Sequence, residues 1–265
     1  MTVLANVLRV ILACVWTGLV GTPLMVCIYS RYFYGRVVAL FGRPDLLDRA
    51  LERNAWLAGW VAQQLWSPVL LAITGIRVRV REEAPIDWSH AHVICVNHAS
   101  LFDILALVRV VPPPFRFVAK RELVKWPIIG WSLPPAGQII VNRSNRTRAL
   151  HSIAEASVRN IRGQVIFFVE GTRTYTGELL PFKKGAFYFA IENRLPVLPT
   201  AIAGSYAALA KAPWWQLHPG RQIEISFLAP ISPSEHPHDH LDGTPVEALL
   251  SLTRERIAAA LAASS

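Results

Sequence analysis

The run Asn97-His98-Ala99-Ser100-Leu101-Phe102-Asp103 carries the sharpest chemical signal in the chain. It sets an imidazole and a carboxylate at positions i and i+5. On one continuous helix such a pair does not share a face. At a strand-to-helix turn, however, the carboxylate folds back to the ring. Asp103 then holds one ring nitrogen as N–H and leaves the other free to accept a proton. That is the base-plus-orienter half of a Ser-His-Asp triad, with the nucleophilic hydroxyl supplied by the substrate. A lone HxxxxD spacing has low specificity and fits a capping or core histidine as well.

Two further segments deliver basic side chains to strand ends. Gly137-Gln138-Ile139-Ile140-Val141-Asn142-Arg143 places an arginine after one apolar strand, and Phe168-Val169-Glu170-Gly171-Thr172-Arg173-Thr174 does so after another. In an open α/β sheet, ligands bind at the carboxyl ends of strands. His98, Lys120, Arg143, Glu170 and Arg173 all fall at or just beyond such ends. Arginine grips phosphate through a planar fork of donors, and lysine adds a point charge.

The elements that must position these groups are written in the surrounding pattern. Strands are predicted at His92–Val96, Phe115–Ala119, Gln138–Asn142, Val165–Val169, Val197–Ala203 and Gln222–Leu228. Helices are predicted at Leu101–Val111, Thr147–Asn160, Ala186–Asn193 and Val246–Ala263. This alternation predicts an α/β fold: a mixed, mostly parallel central sheet flanked by helices on both faces. The VICV and VIFFV runs lack polar alternation, as central strands covered on both sides do.

Ahead of this region lies a different texture. Val10 to Ser30 holds no charged residue, and Arg9 and Arg31 flank it. As a helix it is long enough to cross a hydrocarbon core of roughly 30 Å, although Gly18, Gly21 and Pro23 weaken a straight helix. A second uncharged run, Asn54 to Ile76, is interrupted by Gln63, Gln64 and Pro68 and reads as an interfacial or half-buried helix. The connecting stretch carries Arg31, Arg36, Arg43, Arg49 and Arg53, which by the positive-inside bias face the cytoplasm or anionic headgroups.

Composition agrees with a lipid setting. Of 265 residues, 52% are hydrophobic and only 17% charged. The formal net charge of +9 suits an anionic partner: a bilayer surface, a phosphorylated substrate or a nucleic acid. Nothing resembling a nucleic-acid recognition helix or an RNP-type strand accompanies that charge. The three cysteines, Cys14, Cys27 and Cys95, form no CxxC pair, so a disulfide framework or zinc site is not expected. A reducing, cytoplasmic-side setting fits.

The NHASLFD, GQIIVNR, FVEGTRT and LPVLP (Leu195–Pro199) blocks resemble, in order and spacing, the four motifs of bacterial lysophosphatidic acid acyltransferases of the glycerolipid acyltransferase family. The resemblance covers about Arg77 to Ile231. It implies a membrane-associated helical region at 1–76 and an acyltransferase α/β domain at 77–265. It implies acyl transfer from acyl-CoA or acyl-carrier protein to the sn-2 hydroxyl of lysophosphatidic acid, at the cytoplasmic face of the inner membrane. The donor thioester is already activated, so neither a metal nor another cofactor is expected. On this resemblance His98 is the general base and Asp103 its partner. Arg173 and Lys120 hold the acceptor phosphate, with Arg143 assisting. Glu170 and Gly171, with Thr172 between Gly171 and Arg173, shape the glycerol pocket, and the stretch containing Lys183 closes the site. Thr174 stands where many relatives carry serine, and Val-Asn precedes Arg143, which leaves that arginine's role open.

Other readings compete. The same chemistry serves another lysophospholipid or a lyso-ornithine lipid, and a membrane-anchored basic binding protein is a remote alternative. Cys95, three residues before His98, reads as a small buried hydrophobe rather than a nucleophile. His236, His238, Asp239, His240 and Asp242 sit in a proline-rich stretch and read as a solvated loop rather than metal ligands. Seven basic residues against one acid between Arg109 and Arg146, with Trp126 and Trp131, suggest a surface for anionic lipid and an acidic carrier.

Overall fold

The computed structural model describes residues 2–142, 163–211, 216–233 and 245–264. Its sheet is assembled from the short apolar and β-branched runs that disfavour helix and pack on a pleated surface. The strands are β1 (Arg77–Glu82), β2 (Val93–Val96), β3 (Phe115–Lys120), β4 (Ile139–Val141), β5 (Gln164–Phe168), β6 (Val197–Ala203) and β7 (Gln222–Phe227). They lie in the order β1-β7-β6-β2-β5-β3-β4. β2 pairs in parallel with both β5 and β6, β3 pairs in parallel with β5 and β4, β1 pairs in parallel with β7, and among the described strands only β6 and β7 pair antiparallel. The four residues of β2 are fully buried, which is why VICV carries no polar alternation.

Helices cover both faces. One layer contains α3 (Ser67–Thr74), α4 (Phe102–Val110) and α7 (Ser205–Ala208), whose Leu71, Phe102, Ala106, Leu107 and Ala208 pack with Ile94, Val96 and Ile166 of the sheet. The opposite layer contains α6 (Gly185–Asn193) and α8 (Pro245–Ala263). There Phe187, Phe189, Leu249 and Ile257 pack on Cys95, Val165 and Phe167. Burying a side chain of the size of Phe187 contributes about 1.5–3 kcal/mol. A four-residue helix, α5 (Ile129–Ser132), follows a 3₁₀ turn at Arg121–Lys125.

The alternation predicted a mixed, mostly parallel sheet with helices on both faces, and that is the architecture. One strand escaped the pattern: β1, Arg-Val-Arg-Val-Arg-Glu, is charged at alternate positions and mostly exposed. It is an edge strand, where charge discourages further pairing. The predicted helix at Thr147–Asn160 lies outside the described residues.

The N-terminal region differs from its expected layout. α1 runs unbroken from Thr2 to Leu40 despite Pro23, and α2 begins at Pro44 and continues to Val61. The arginine-rich stretch expected as a linker is therefore mostly helix, and only 41–43 turn the chain. The second uncharged run is the end of α2, a π-turn at Ala62–Trp66 and α3. It is half-buried: Ala55, Leu70 and Leu71 are in the core, whereas Trp56 and Trp60 stack on each other and are exposed.

α1 is long and apolar enough to cross a membrane, yet it is fastened to the rest of the molecule along much of its length. Asn6 donates to the Leu217 carbonyl at 2.8 Å, Trp66 to the Thr17 hydroxyl at 3.0 Å and Tyr29 to the Trp131 carbonyl at 2.8 Å. Asn54 of α2 donates to the carbonyls of both Ile28 and Pro135, each at 2.9 Å. Between these ties Ile128 packs over Gly21, where an added Cβ would meet its Cγ2 at 2.5 Å. Ile128 has φ +62°, a costly conformation for a β-branched residue, held by this packing.

Candidate active site

All five strands from which the site is drawn, β2, β3, β4, β5 and β6, are mutually parallel, so their carboxyl ends share one sheet edge. The chain leaves β2 at Val96 and turns through Asn97–Leu101 into α4. Asn97 pins the turn to β6: its side-chain amide donates to the Ile202 carbonyl at 3.0 Å and accepts from Ile202 N–H at 2.8 Å. Ser100 pins the other side by donating to the Leu209 carbonyl at 2.7 Å.

Within this turn the Asp103 carboxylate lies in the first turn of α4 and folds back, as the spacing predicts. One oxygen, Oδ2, meets three groups at 2.8 Å: His98 Nδ1, Ala99 N–H and Ser100 N–H. Asp103 is fully buried, and its second oxygen, Oδ1, has no hydrogen-bond partner among the described residues. With a carboxylate facing it, Nδ1 carries the proton, and Nε2 is left as the acceptor. The His98 side chain is 13% exposed. Its ring stacks on Phe168, with centroids 3.8 Å apart and planes 19° from parallel. Phe168 was not expected in the site; a phenylalanine closing an apolar strand carries no signal beyond burial.

Glu170 holds the backbone of the same turn. One of its oxygens accepts His98 N–H at 2.7 Å and the other accepts Leu180 N–H at 2.9 Å. Burial pushes this carboxyl above the usual carboxylate range; the two N–H donors oppose that shift and the Asp103 charge adds to it. Both Glu170 oxygens are thus committed to backbone, which makes it a tie between β2, β5 and the following loop. The loop reverses at Gly171, whose φ of +75° favours glycine. Thr174 N–H then donates to the His98 carbonyl at 3.0 Å.

Arg173 is carried on this loop. Burial lowers its guanidinium below the usual arginine range, and the nearby Asp103 charge opposes that; it remains a cation at any working pH. Its Nη1 is buried and has no partner among the described residues. This guanidinium nitrogen without a protein acceptor lies within the electrostatic reach of Asp103, the partner of His98.

The other residues singled out by sequence make different contacts or lie outside the described residues. Lys120 ends β3 on the same sheet edge, but it is exposed, and its ammonium is 3.8 Å from Glu122. Thr172 is exposed and accepts a hydrogen bond from Lys211 at 3.2 Å. Lys183 is exposed; its backbone N–H donates to the Val169 carbonyl at 2.7 Å. Arg143 and the His236–Asp242 cluster lie outside the described residues. Among those described, no group of His, Cys, Asp and Glu is arranged to hold a metal. Burial pushes the Cys95 thiol far up, away from the thiolate a nucleophile requires.

Residues 77–203 match the family model described as Acyltransferase. The chain is 31% identical over 180 residues to a Saccharomyces cerevisiae protein named 1-acyl-sn-glycerol-3-phosphate acyltransferase, covering 66% of this chain and 58% of that one. It is 33% identical over 165 residues to a Cocos nucifera protein of the same name, covering 62% and 52%. The chain therefore spans somewhat over half the length of these curated relatives. The crystal structure of the 1-acyl-sn-glycerophosphate acyltransferase PlsC from Thermotoga maritima superposes with a TM-score of 0.61, 23% identity and 96% coverage of both chains. That likeness establishes a shared fold.

Proposed function

We propose, for a chain whose residues 77–203 match the family model described as Acyltransferase, that it transfers a fatty acyl group from a thioester carrier to the sn-2 hydroxyl of lysophosphatidic acid, giving phosphatidic acid. One observation carries this reading: a His98 ring oriented by buried Asp103 lies on the same sheet edge as Arg173, whose buried Nη1 awaits an acceptor. The names of the relatives point to the same acceptor.

In this mechanism Nε2 of His98 removes the proton from the acceptor hydroxyl as its oxygen attacks the thioester carbonyl. Asp103 stabilises the imidazolium that forms. The tetrahedral intermediate collapses, the C–S bond breaks, and His98 returns the proton to the departing thiolate. Arg173 holds the acceptor phosphate and so brings the hydroxyl to the base, the positioning that makes such a reaction effectively intramolecular. The thioester supplies the activation, so neither metal nor redox cofactor is required, and acyl-CoA and acyl-carrier protein both fit as donors.

The setting is the cytoplasmic leaflet of the inner membrane. The ties from Asn6 to Tyr29 hold about 35 Å of α1, at 1.5 Å per residue, alongside the rest of the molecule. That length exceeds the roughly 30 Å of a hydrocarbon core. A perpendicular span would drag the polar domain through the bilayer, so α1 lies in one leaflet with its exposed Val3, Leu4, Val15, Leu19 and Val26 in lipid. Lys120, Arg121 and Lys125, beside exposed Trp126 and Trp131, face the anionic headgroups.

Mass spectrometry of products from the purified protein, given lysophosphatidic acid and mixed acyl thioesters, tests the reading. Phosphatidic acid with release of one thiol per product is expected. Acylation of a phosphate-free acceptor in preference to lysophosphatidic acid would overturn the acceptor assignment.

A further inference from the structure

The loop that carries Arg173 is secured by a residue from much later in the chain. Lys211 lies just beyond α7, and its ammonium donates to the Arg173 carbonyl at 2.9 Å and to the Thr172 hydroxyl at 3.2 Å. The same ammonium sits 3.7 Å from the centroid of the Tyr175 ring, on whose π-face a cation is attracted. The Tyr206 hydroxyl adds a second tie by donating to the Tyr175 carbonyl at 2.7 Å. Lysine side chains ordinarily keep their rotamer freedom at a protein surface, and fixing one is entropically costly. Here one ammonium is engaged by three of four consecutive residues, 172, 173 and 175, on either side of the arginine.

From this convergence we propose that Lys211 is a positioning residue for the acceptor headgroup, acting through Arg173 rather than by touching the phosphate. Two of its three N–H donors are spent on the loop, and its charge faces an aromatic ring. What it delivers is a fixed backbone at Arg173, so the guanidinium meets the phosphate without first ordering the loop. Preorganisation of this kind strengthens binding by reducing the entropy lost on association. The proposal rests on the reading of Arg173 as the phosphate ligand.

The test uses the purified full-length protein in detergent micelles. Lys211→Met keeps the aliphatic stem and removes the ammonium; Lys211→Arg keeps a donor-bearing cation. Hydrogen exchange of peptides covering 172–177 is followed beside kcat and KM for lysophosphatidic acid, in the parent and in an Arg173→Ala background. Lys211→Met should speed exchange in that loop and raise KM roughly tenfold, the size of a lost charge-assisted hydrogen bond, with kcat within about twofold. It should add nothing in the Arg173→Ala background, since both changes remove the same interaction, and Lys211→Arg should recover most of the KM. Unchanged exchange or an unchanged KM overturns the proposal. So does an equal KM rise in the Arg173→Ala background, which would make Lys211 an independent ligand. If the parent fails to acylate lysophosphatidic acid while Lys211→Met still loosens the loop, the acceptor reading fails and the positioning contact stands.

Discussion

Replacing Asp103 by asparagine separates what its charge does from what its shape does. Two backbone N–H groups, of Ala99 and Ser100, and His98 Nδ1 converge at 2.8 Å on a single carboxylate oxygen, while the other oxygen has no partner among the described residues. An asparagine at this position can meet three converging donors only with its carbonyl; its NH₂ must take the place of the unpartnered oxygen. The ring therefore keeps its proton on Nδ1 and its acceptor on Nε2. What disappears is the negative charge that steadies the imidazolium in the transition state. Two charges about 4 Å apart at an effective dielectric constant near 20 interact by about 4 kcal/mol, which is about 10³-fold in rate. Asp103→Asn should lower kcat by that factor and leave KM for lysophosphatidic acid unchanged. Asp103→Ala should differ in kind: it leaves two buried N–H groups unsatisfied, at about 1–3 kcal/mol each, and should lose stability as well as activity. Thiol release and thermal unfolding in micelles read both. Turnover of the asparagine variant within about threefold of the parent would show that the carboxylate charge is not felt at the base, and the reasoning would be refuted.

Three further outcomes are expected. Arg173→Ala should raise KM for lysophosphatidic acid about 10- to 100-fold, the cost of a hydrogen bond to a charged group; a change confined to acyl-length preference would place it at the wrong end of the substrate. Glu170 has a raised folded-state pKa, so its contribution to stability is full below the ordinary carboxylate range and is lost as pH rises through the folded value. The Tm advantage of the parent over Glu170→Gln should accordingly shrink as pH rises from about 4.5 through the raised folded value, and a difference that grows with pH would contradict the burial argument. Gly21→Val should force Ile128 away from α1, costing about 1–3 kcal/mol, or several degrees of Tm, while sedimentation with membranes persists; an unchanged Tm would mean that this contact does not hold the helix.

How much of this was legible in sequence depends on how local each feature is. β2 and β5 are legible because strands covered on both faces favour apolar residues: VICV holds no others, and in β5 only Gln164 precedes VIFF. The His98–Asp103 geometry is legible because it is made within a single turn. β1 is not, since an exposed edge imposes no burial pattern on Arg77–Glu82. Pro23 misleads because a proline inside a long helix need not end it when the flanking turns are held by packing. Glu170 was expected to help shape the glycerol pocket; its ties to two backbone N–H groups 72 residues and 10 residues away are a tertiary fact without local signature. Phe168 and Lys211 are silent for the same reason: their partners are brought to them only by the closure of the sheet.

The lacing of α1 to the domain fixes how the domain would ride on a membrane that holds α1. A body hinged on a single anchoring point could sample many heights and tilts above the lipid, and each encounter with a lysolipid would begin with a search for orientation. A body riveted at Asn6, Thr17, Gly21, Ile28 and Tyr29 would keep one height and one tilt in the proposed setting. If the proposed setting and reaction hold, His98 meets the same depth of the leaflet at every collision, the acceptor arrives by sliding sideways, and the two-tailed product departs along the same plane without passing through water.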